Sequence, residues 1–141
     1  MKLKWNSAYF WLILFASCFL SYQLVQDYIR PNYVGKSAII TYLLGVAPNF
    51  FPAIGIPSLF VVLIPQLKSK TSNHKWLKEK VNITANVISL IGLISWEFTQ
   101  TITSKGRFDW NDVVFTIFGA IVFQIIWIVV QQKTQKMTNK F

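Results

Sequence analysis

Three of the chain's five acidic residues, Glu97, Asp109 and Asp112, lie within one short stretch between two long apolar segments. Carboxylates accept hydrogen bonds, and their hard oxygen atoms are the ligands that divalent cations such as Mg²⁺ and Ca²⁺ prefer. Arg107 lies in the same stretch, and an arginine side chain can bind a phosphate or a carboxylate through two parallel hydrogen bonds. These residue types predict a polar binding site or, alternatively, a site for metal-assisted transfer chemistry.

The same residues also permit a purely structural interpretation. Asp109 or Asn111 can cap the helix that follows, and Asp112 in its first turn is favoured by the positive end of the helix dipole. Glu97 does not fit this interpretation, because it lies near the C-terminal end of a predicted helix, where the dipole disfavours negative charge. We therefore expect Glu97 to have a specific partner, and Arg107 is the nearest candidate in the sequence.

Four long apolar segments would have to position these side chains. The chain is 53% hydrophobic and 13% charged, whereas soluble domains average about 25% charged residues. Each segment is long enough, at about 1.5 Å per residue, to cross the roughly 30 Å hydrocarbon core of a bilayer. Because backbone polar groups in lipid must be satisfied internally, the segments are expected to be helices. We predict one all-α domain over residues 1–141, a polytopic antiparallel bundle of four transmembrane helices at roughly 8–26, 38–65, 82–100 and 112–131.

The net charge of +9 indicates the orientation of this bundle. Ten of the fourteen lysine and arginine residues lie before the first segment, between the second and third, or after the fourth. An excess of basic residues in short loops marks the cytoplasmic side. We therefore predict a multi-pass membrane protein with both termini in the cytoplasm and its basic face against lipid headgroups. This distribution argues against nucleic-acid binding.

Helix 2 is unusual because Pro48, Pro52 and Pro57 lie inside it. Each proline removes a backbone donor and clashes with the preceding turn, so we expect helix 2 to be kinked or broken. A break in a membrane persists where neighbouring helices or a watery cavity satisfy the freed carbonyls, and Asn49 is placed to contribute. The alternatives are a simple kink that improves packing and a break that lines a pocket.

The pattern Glu97-x-x-Gln100, followed by GRFDWND and then Gly119, resembles the VanZ-like family of small bacterial membrane proteins. That family shows Glu-x-x-Gln at the end of one helix, a loop with Arg and Asp, and Asp-x-x-x-Asn-x-x-Gly at the start of the next. The match is strongest over residues 96–119. Arg107 lies one residue later than the family's arginine, and Thr116 stands where the family has asparagine.

The resemblance implies a protein of the bacterial inner membrane, in a family named for resistance to a glycopeptide antibiotic. It favours an outer-face pocket that binds an envelope lipid, a lipid-linked wall precursor or a glycopeptide-type compound. The alternatives are a metal-assisted membrane enzyme acting on a lipid-linked substrate, and a scaffold subunit that joins further copies or a larger membrane complex. We predict no cofactor and no metal site and name no catalytic residue. The candidate pocket comprises Asn49, Glu97, Gln100, Arg107, Asp109, Asp112 and Thr116.

Overall fold

The computed structural model describes the backbone over residues 5–68, 80–102 and 108–138, and side chains over 8–66, 80–102 and 108–132. Helix α1 is Trp5–Gln23 and continues directly into a π-helical segment, Leu24–Ile29, and one last α-helical turn, Arg30–Asn32. Three further helices follow: α2 at Ala38–Lys68, α3 at Val81–Ile102 and α4 at Trp110–Thr138.

The prediction of an all-helical chain with four membrane-length helices is confirmed over these residues, where no strand occurs. Apolar side chains such as Ile13, Ile39, Ile91 and Ile125 point outward from the four helices, as they would toward lipid. The four candidate spans are Ala8–Asn32, Ala38–Gln66, Val81–Ile102 and Trp110–Gln132, as expected for a multi-pass membrane protein.

Helix α2 is not broken at its prolines. It is α-helical from Ala38 to Lys68, with Pro48, Pro52, Pro57 and Pro65 inside it, so the predicted break is wrong. Each proline removes only one bond of the ladder, and packing of α2 against all three other helices supports the rest. A kink, the other form of that prediction, stays a prediction.

Small residues allow α2 to lie close to its neighbours. A Cβ atom at Gly119 of α4 would lie 2.7 Å from Ala53 Cβ and 2.7 Å from the Phe50 carbonyl oxygen, both on α2. A Cβ atom at Gly55 would lie 3.0 Å from Cys18 Cβ on α1. Close backbone approach of this kind supports helix association in lipid, where dispersion contacts replace the hydrophobic effect.

One end of the bundle has an apolar core. Trp11 is fully buried and its ring lies 5.7 Å from that of Phe123 and 5.2 Å from that of Trp127. At this end α3 and α4 are also joined by a side-chain hydrogen bond of 2.9 Å, from Asn82 Nδ2 to Gln124 Oε1. The core comprises Trp11, Val61, Val62, Ala85 and Phe123.

Candidate functional site

The opposite end of the bundle gathers polar side chains from four elements. They come from the last turn after α1, the middle of α2, the end of α3 and the start of α4. Hydrogen bonds or charge interactions join them. We call this set the polar cluster: Arg30, Asn49, Glu97, Gln100, Asp109 and Asp112.

Glu97 is the most buried member of the polar cluster, with 3% of its surface exposed. Gln100, one helical turn away on α3, donates a hydrogen bond of 3.2 Å from Nε2 to Glu97 Oε1. The charges of Asp112 and Asp109 are close enough to act on the Glu97 carboxylate. Glu97 and Gln100 therefore share one face of α3, and the start of α4 brings two further carboxylates to it.

The second carboxylate oxygen of Glu97 has no hydrogen-bond partner among the described residues. The other buried side-chain atoms of this kind there are Trp11 Nε1 and Asn86 Oδ1, which belong to neutral groups. Burying an unpartnered carboxylate costs far more than burying an unpartnered neutral group, because the charged form loses strong hydration. Glu97 Oε2 is therefore the atom of the polar cluster that most needs a donor.

Asp112 interacts with a side chain of α2 and with a cationic side chain. The Asn49 side chain hydrogen-bonds to the Asp112 carboxylate, and Arg30 is close enough for its charge to act on it. Asp112 is half-buried. Asn49 therefore reaches the candidate site from a continuous helix, without the break that the sequence predicted for it.

Asp109 has a clear structural role. Its Oδ1 atom accepts hydrogen bonds of 2.8 Å from both the backbone N–H and the Nδ2 atom of Asn111. This is the arrangement of an N-cap residue, which satisfies a backbone donor that the first turn of a helix leaves unpaired. The capping interpretation is confirmed for Asp109, whose charge nevertheless acts on Glu97.

One predicted pocket residue, Thr116, does not join the polar cluster. The Thr116 hydroxyl is buried and donates a bond of 2.8 Å to the Asp112 carbonyl oxygen of its own helix, so it serves the α4 backbone. Arg107 lies outside the described residues, so the pairing of Glu97 with Arg107 stays a prediction.

Sequence reasoning missed two residues at this end. They are Arg30, whose charge acts on Asp112, and Tyr42, whose hydroxyl donates a bond of 3.3 Å to Asn111 Oδ1. The position of Arg30 could have been predicted, because in a bundle of four spans the first and third connections lie at the same end. The motif over residues 96–119 covers the third connection alone.

The polar cluster offers acceptors and negative charge. Among the described residues it holds three carboxylates and one guanidinium, that of Arg30, whose charge acts on Asp112. Asn49 and Gln100 each already bond to a carboxylate. In the described part of the chain, no group of three His, Cys, Asp or Glu side chains is arranged to hold a metal ion. Its carboxylates can accept hydrogen bonds from a donor, most strongly from one that carries positive charge.

An apolar groove lies between α1 and α2. Its volume is about 320 Å³. Of its lining residues, Tyr22 is the one closest to Arg30 in the sequence, and Phe51 is the one closest to Asn49. Gly55, which has no side chain, lies beside Cys18. The groove is lined by Phe15, Cys18, Phe19, Tyr22, Phe51, Pro52, Gly55 and Ile56.

No protein-family model, curated protein or solved structure matches this chain. The resemblance to the VanZ-like family therefore stays a hypothesis that rests on the motif over residues 96–119.

Proposed function

We propose that this chain is a VanZ-like integral membrane protein whose polar cluster binds an envelope lipid, a lipid-linked wall precursor or a glycopeptide-type compound. The four helices form an antiparallel bundle in the bacterial inner membrane, with both termini in the cytoplasm. The polar cluster then faces outward, where all three ligand classes are found. Each of these classes presents hydroxyl, amide or ammonium donors to a carboxylate.

The observation that carries this proposal is the buried Glu97, one oxygen of which has no hydrogen-bond partner among the described residues. Ionisable residues within membrane spans are costly and are most often found where they serve a function. A capping role explains Asp109 but cannot apply to Glu97, which lies near the C-terminal end of α3. A ligand donor would supply the missing partner.

The position of Gly119 also supports the VanZ-like hypothesis. The family motif places a glycine seven residues after its aspartate, where this chain has Asp112 and Gly119. Here that glycine lies against α2, and the same contact keeps the start of α4 beside Asn49. The motif spacing therefore has a physical reason in this chain, since the glycine sets the approach that brings Asp112 to its partner.

The proposal is tested by identifying what co-purifies with the protein. Wild type and Glu97→Gln would be extracted in mild detergent and compared by untargeted mass spectrometry of bound lipids and wall precursors. Asp27→Asn is the matched control, because it makes the same chemical change at an exposed carboxylate outside the polar cluster. We expect a ligand that wild type and Asp27→Asn retain and Glu97→Gln loses. Identical profiles for all three proteins would refute a ligand site at Glu97.

The orientation is tested separately. Single cysteines replacing Lys75 and Lys105, each in a Cys18→Ser background, would be treated in intact cells with a thiol reagent that does not cross the membrane. We expect labelling at position 105 and protection at position 75. The opposite result would place the polar cluster at the cytoplasmic face.

A further inference from the structure

We infer that the polar cluster binds the primary ammonium group of a zwitterionic phospholipid, with the lipid phosphate beside Arg30 and one acyl chain in the groove between α1 and α2. This inference rests on the proposed function, since it names the ligand of the same site. It joins three features: a buried acidic site, an exposed cation whose charge acts on that site, and an apolar groove along the same two helices, α1 and α2.

The ammonium group follows from the state of Glu97. Gln100 already bonds to Oε1, whereas Oε2 has no partner among the described residues and is buried. Asp112 and Asp109 add charge of the same sign nearby. A hydroxyl or amide donor would satisfy one lone pair and leave the repulsion unchanged. A primary ammonium group brings three N–H donors together with a compensating charge.

The phosphate follows from Arg30. Its guanidinium acts on Asp112 from the last turn after α1, and the Arg30 side chain is exposed. Guanidinium groups hold phosphates through paired hydrogen bonds. Opposite charges placed next to each other match a headgroup that carries an ammonium and a phosphate in the same molecule. Arg30 Nη1 already donates a bond of 3.3 Å to Gln26 Oε1, and a phosphate would use further guanidinium donors that a metal cation or a simple amine would not.

The acyl chain follows from the groove. Its walls belong to two candidate membrane spans, α1 and α2, so it lies within the hydrocarbon region. Tyr22 is eight residues before Arg30, which corresponds to roughly 12 Å along a helix axis. A lipid whose phosphate lies beside Arg30 can therefore extend an acyl chain along α1, past Tyr22 and into the groove. A soluble amine could not use this surface.

The test compares lipids that differ at one group. The purified full-length protein would be exchanged into detergent with phosphatidylethanolamine, its N-trimethylated counterpart phosphatidylcholine, or phosphatidylglycerol of the same chains. Retained lipid would be counted by native mass spectrometry. We expect phosphatidylethanolamine to be retained about tenfold or more strongly than phosphatidylcholine, because trimethylation removes every N–H donor and leaves the charge.

Substitutions test each proposed contact separately by the same lipid-retention measurement. Glu97→Gln should remove the preference for phosphatidylethanolamine over phosphatidylcholine, and Asp27→Asn should keep it. Arg30→Gln should weaken retention of phosphatidylethanolamine and phosphatidylglycerol alike, because both carry the phosphate. Glycerophosphoethanolamine, which has the headgroup without chains, should not displace the lipid at equal concentration if the groove contributes.

The outcomes separate this inference from the proposed function. Equal retention of the three lipids by wild type would overturn the ammonium assignment, even if Glu97→Gln still loses some other co-purified ligand. Efficient displacement by glycerophosphoethanolamine would overturn the role of the groove. Because the headgroup comparison uses wild type alone, it stays decisive even if a variant fails to fold.

Discussion

Replacing Gly119 by alanine should destabilise the bundle, although alanine is the better helix former. The added Cβ atom would lie 2.7 Å from both Ala53 Cβ and the Phe50 carbonyl oxygen, whereas non-bonded carbon atoms prefer about 3.5–4.0 Å. Overpacking costs about 1–3 kcal/mol, and the gain in helix propensity is at most about 1 kcal/mol. One obstacle is the backbone of α2, which cannot rotate away as a side chain can. Subtracting the full gain leaves a net loss of up to about 2 kcal/mol.

Gly92→Ala is the matched control, because a Cβ atom there would meet nothing within 4 Å. It makes the same change inside another membrane-length helix and should be neutral or stabilising by up to about 1 kcal/mol. Both variants would be unfolded in mixed micelles with increasing denaturing detergent, followed by tryptophan fluorescence. Equal stability of Gly119→Ala and Gly92→Ala would refute the close approach of α2 and α4.

Three further substitutions test other contacts by the same unfolding assay. Asp109→Ala should cost about 1 kcal/mol, because the first turn of α4 loses its cap; unchanged stability would mean that the cap contributes nothing. Alanine at Asn82 and Gln124 should show a coupling energy of about 0.6 kcal/mol in a double-mutant cycle, the average for hydrogen bonds between membrane helices. Strictly additive losses would contradict that bond. Trp11→Ala should be the most damaging, at about 3–5 kcal/mol, and a loss below about 1 kcal/mol would place Trp11 outside the core.

Hydropathy was sufficient to predict the four helices, because in lipid the backbone must bond to itself and an apolar run of sufficient length has few other choices. The C-terminal end of α1 was harder to predict from hydropathy. The span was predicted to end near residue 26, yet the helical backbone continues to Asn32. Polar residues such as Gln26 and Asp27 lower the hydropathy there without preventing helix formation. The continuity of α2 was also misjudged, because proline rules describe one helix in isolation and α2 has neighbours on three sides.

The candidate site was predictable where its members are close in sequence. Glu97 and Gln100 share a face by helical spacing, and Asp109 precedes a helix in a position that favours capping. The contact between Asn49 and Asp112 depends on how α2 and α4 pack, which the pattern of either helix alone does not contain. Arg30 was missed for the same reason, since its approach to Asp112 joins two distant parts of the chain.

The π-helical segment before Arg30 has a consequence for the direction of that side chain. The Arg30 backbone N–H bonds to the Val25 carbonyl oxygen, five residues back, so this turn holds one residue more than an α-helical turn would. In an α-helix each residue advances the side-chain direction by about 100°. Because the wider turn absorbs its extra residue, deleting one residue from Leu24–Ile29 and rewinding the segment as α-helix would leave Arg30 on about the same side of the bundle. A single-codon deletion in this segment should therefore keep Arg30 near Asp112, whereas winding all six residues as α-helix without a deletion would turn Arg30 away while every side chain of the polar cluster stayed chemically intact.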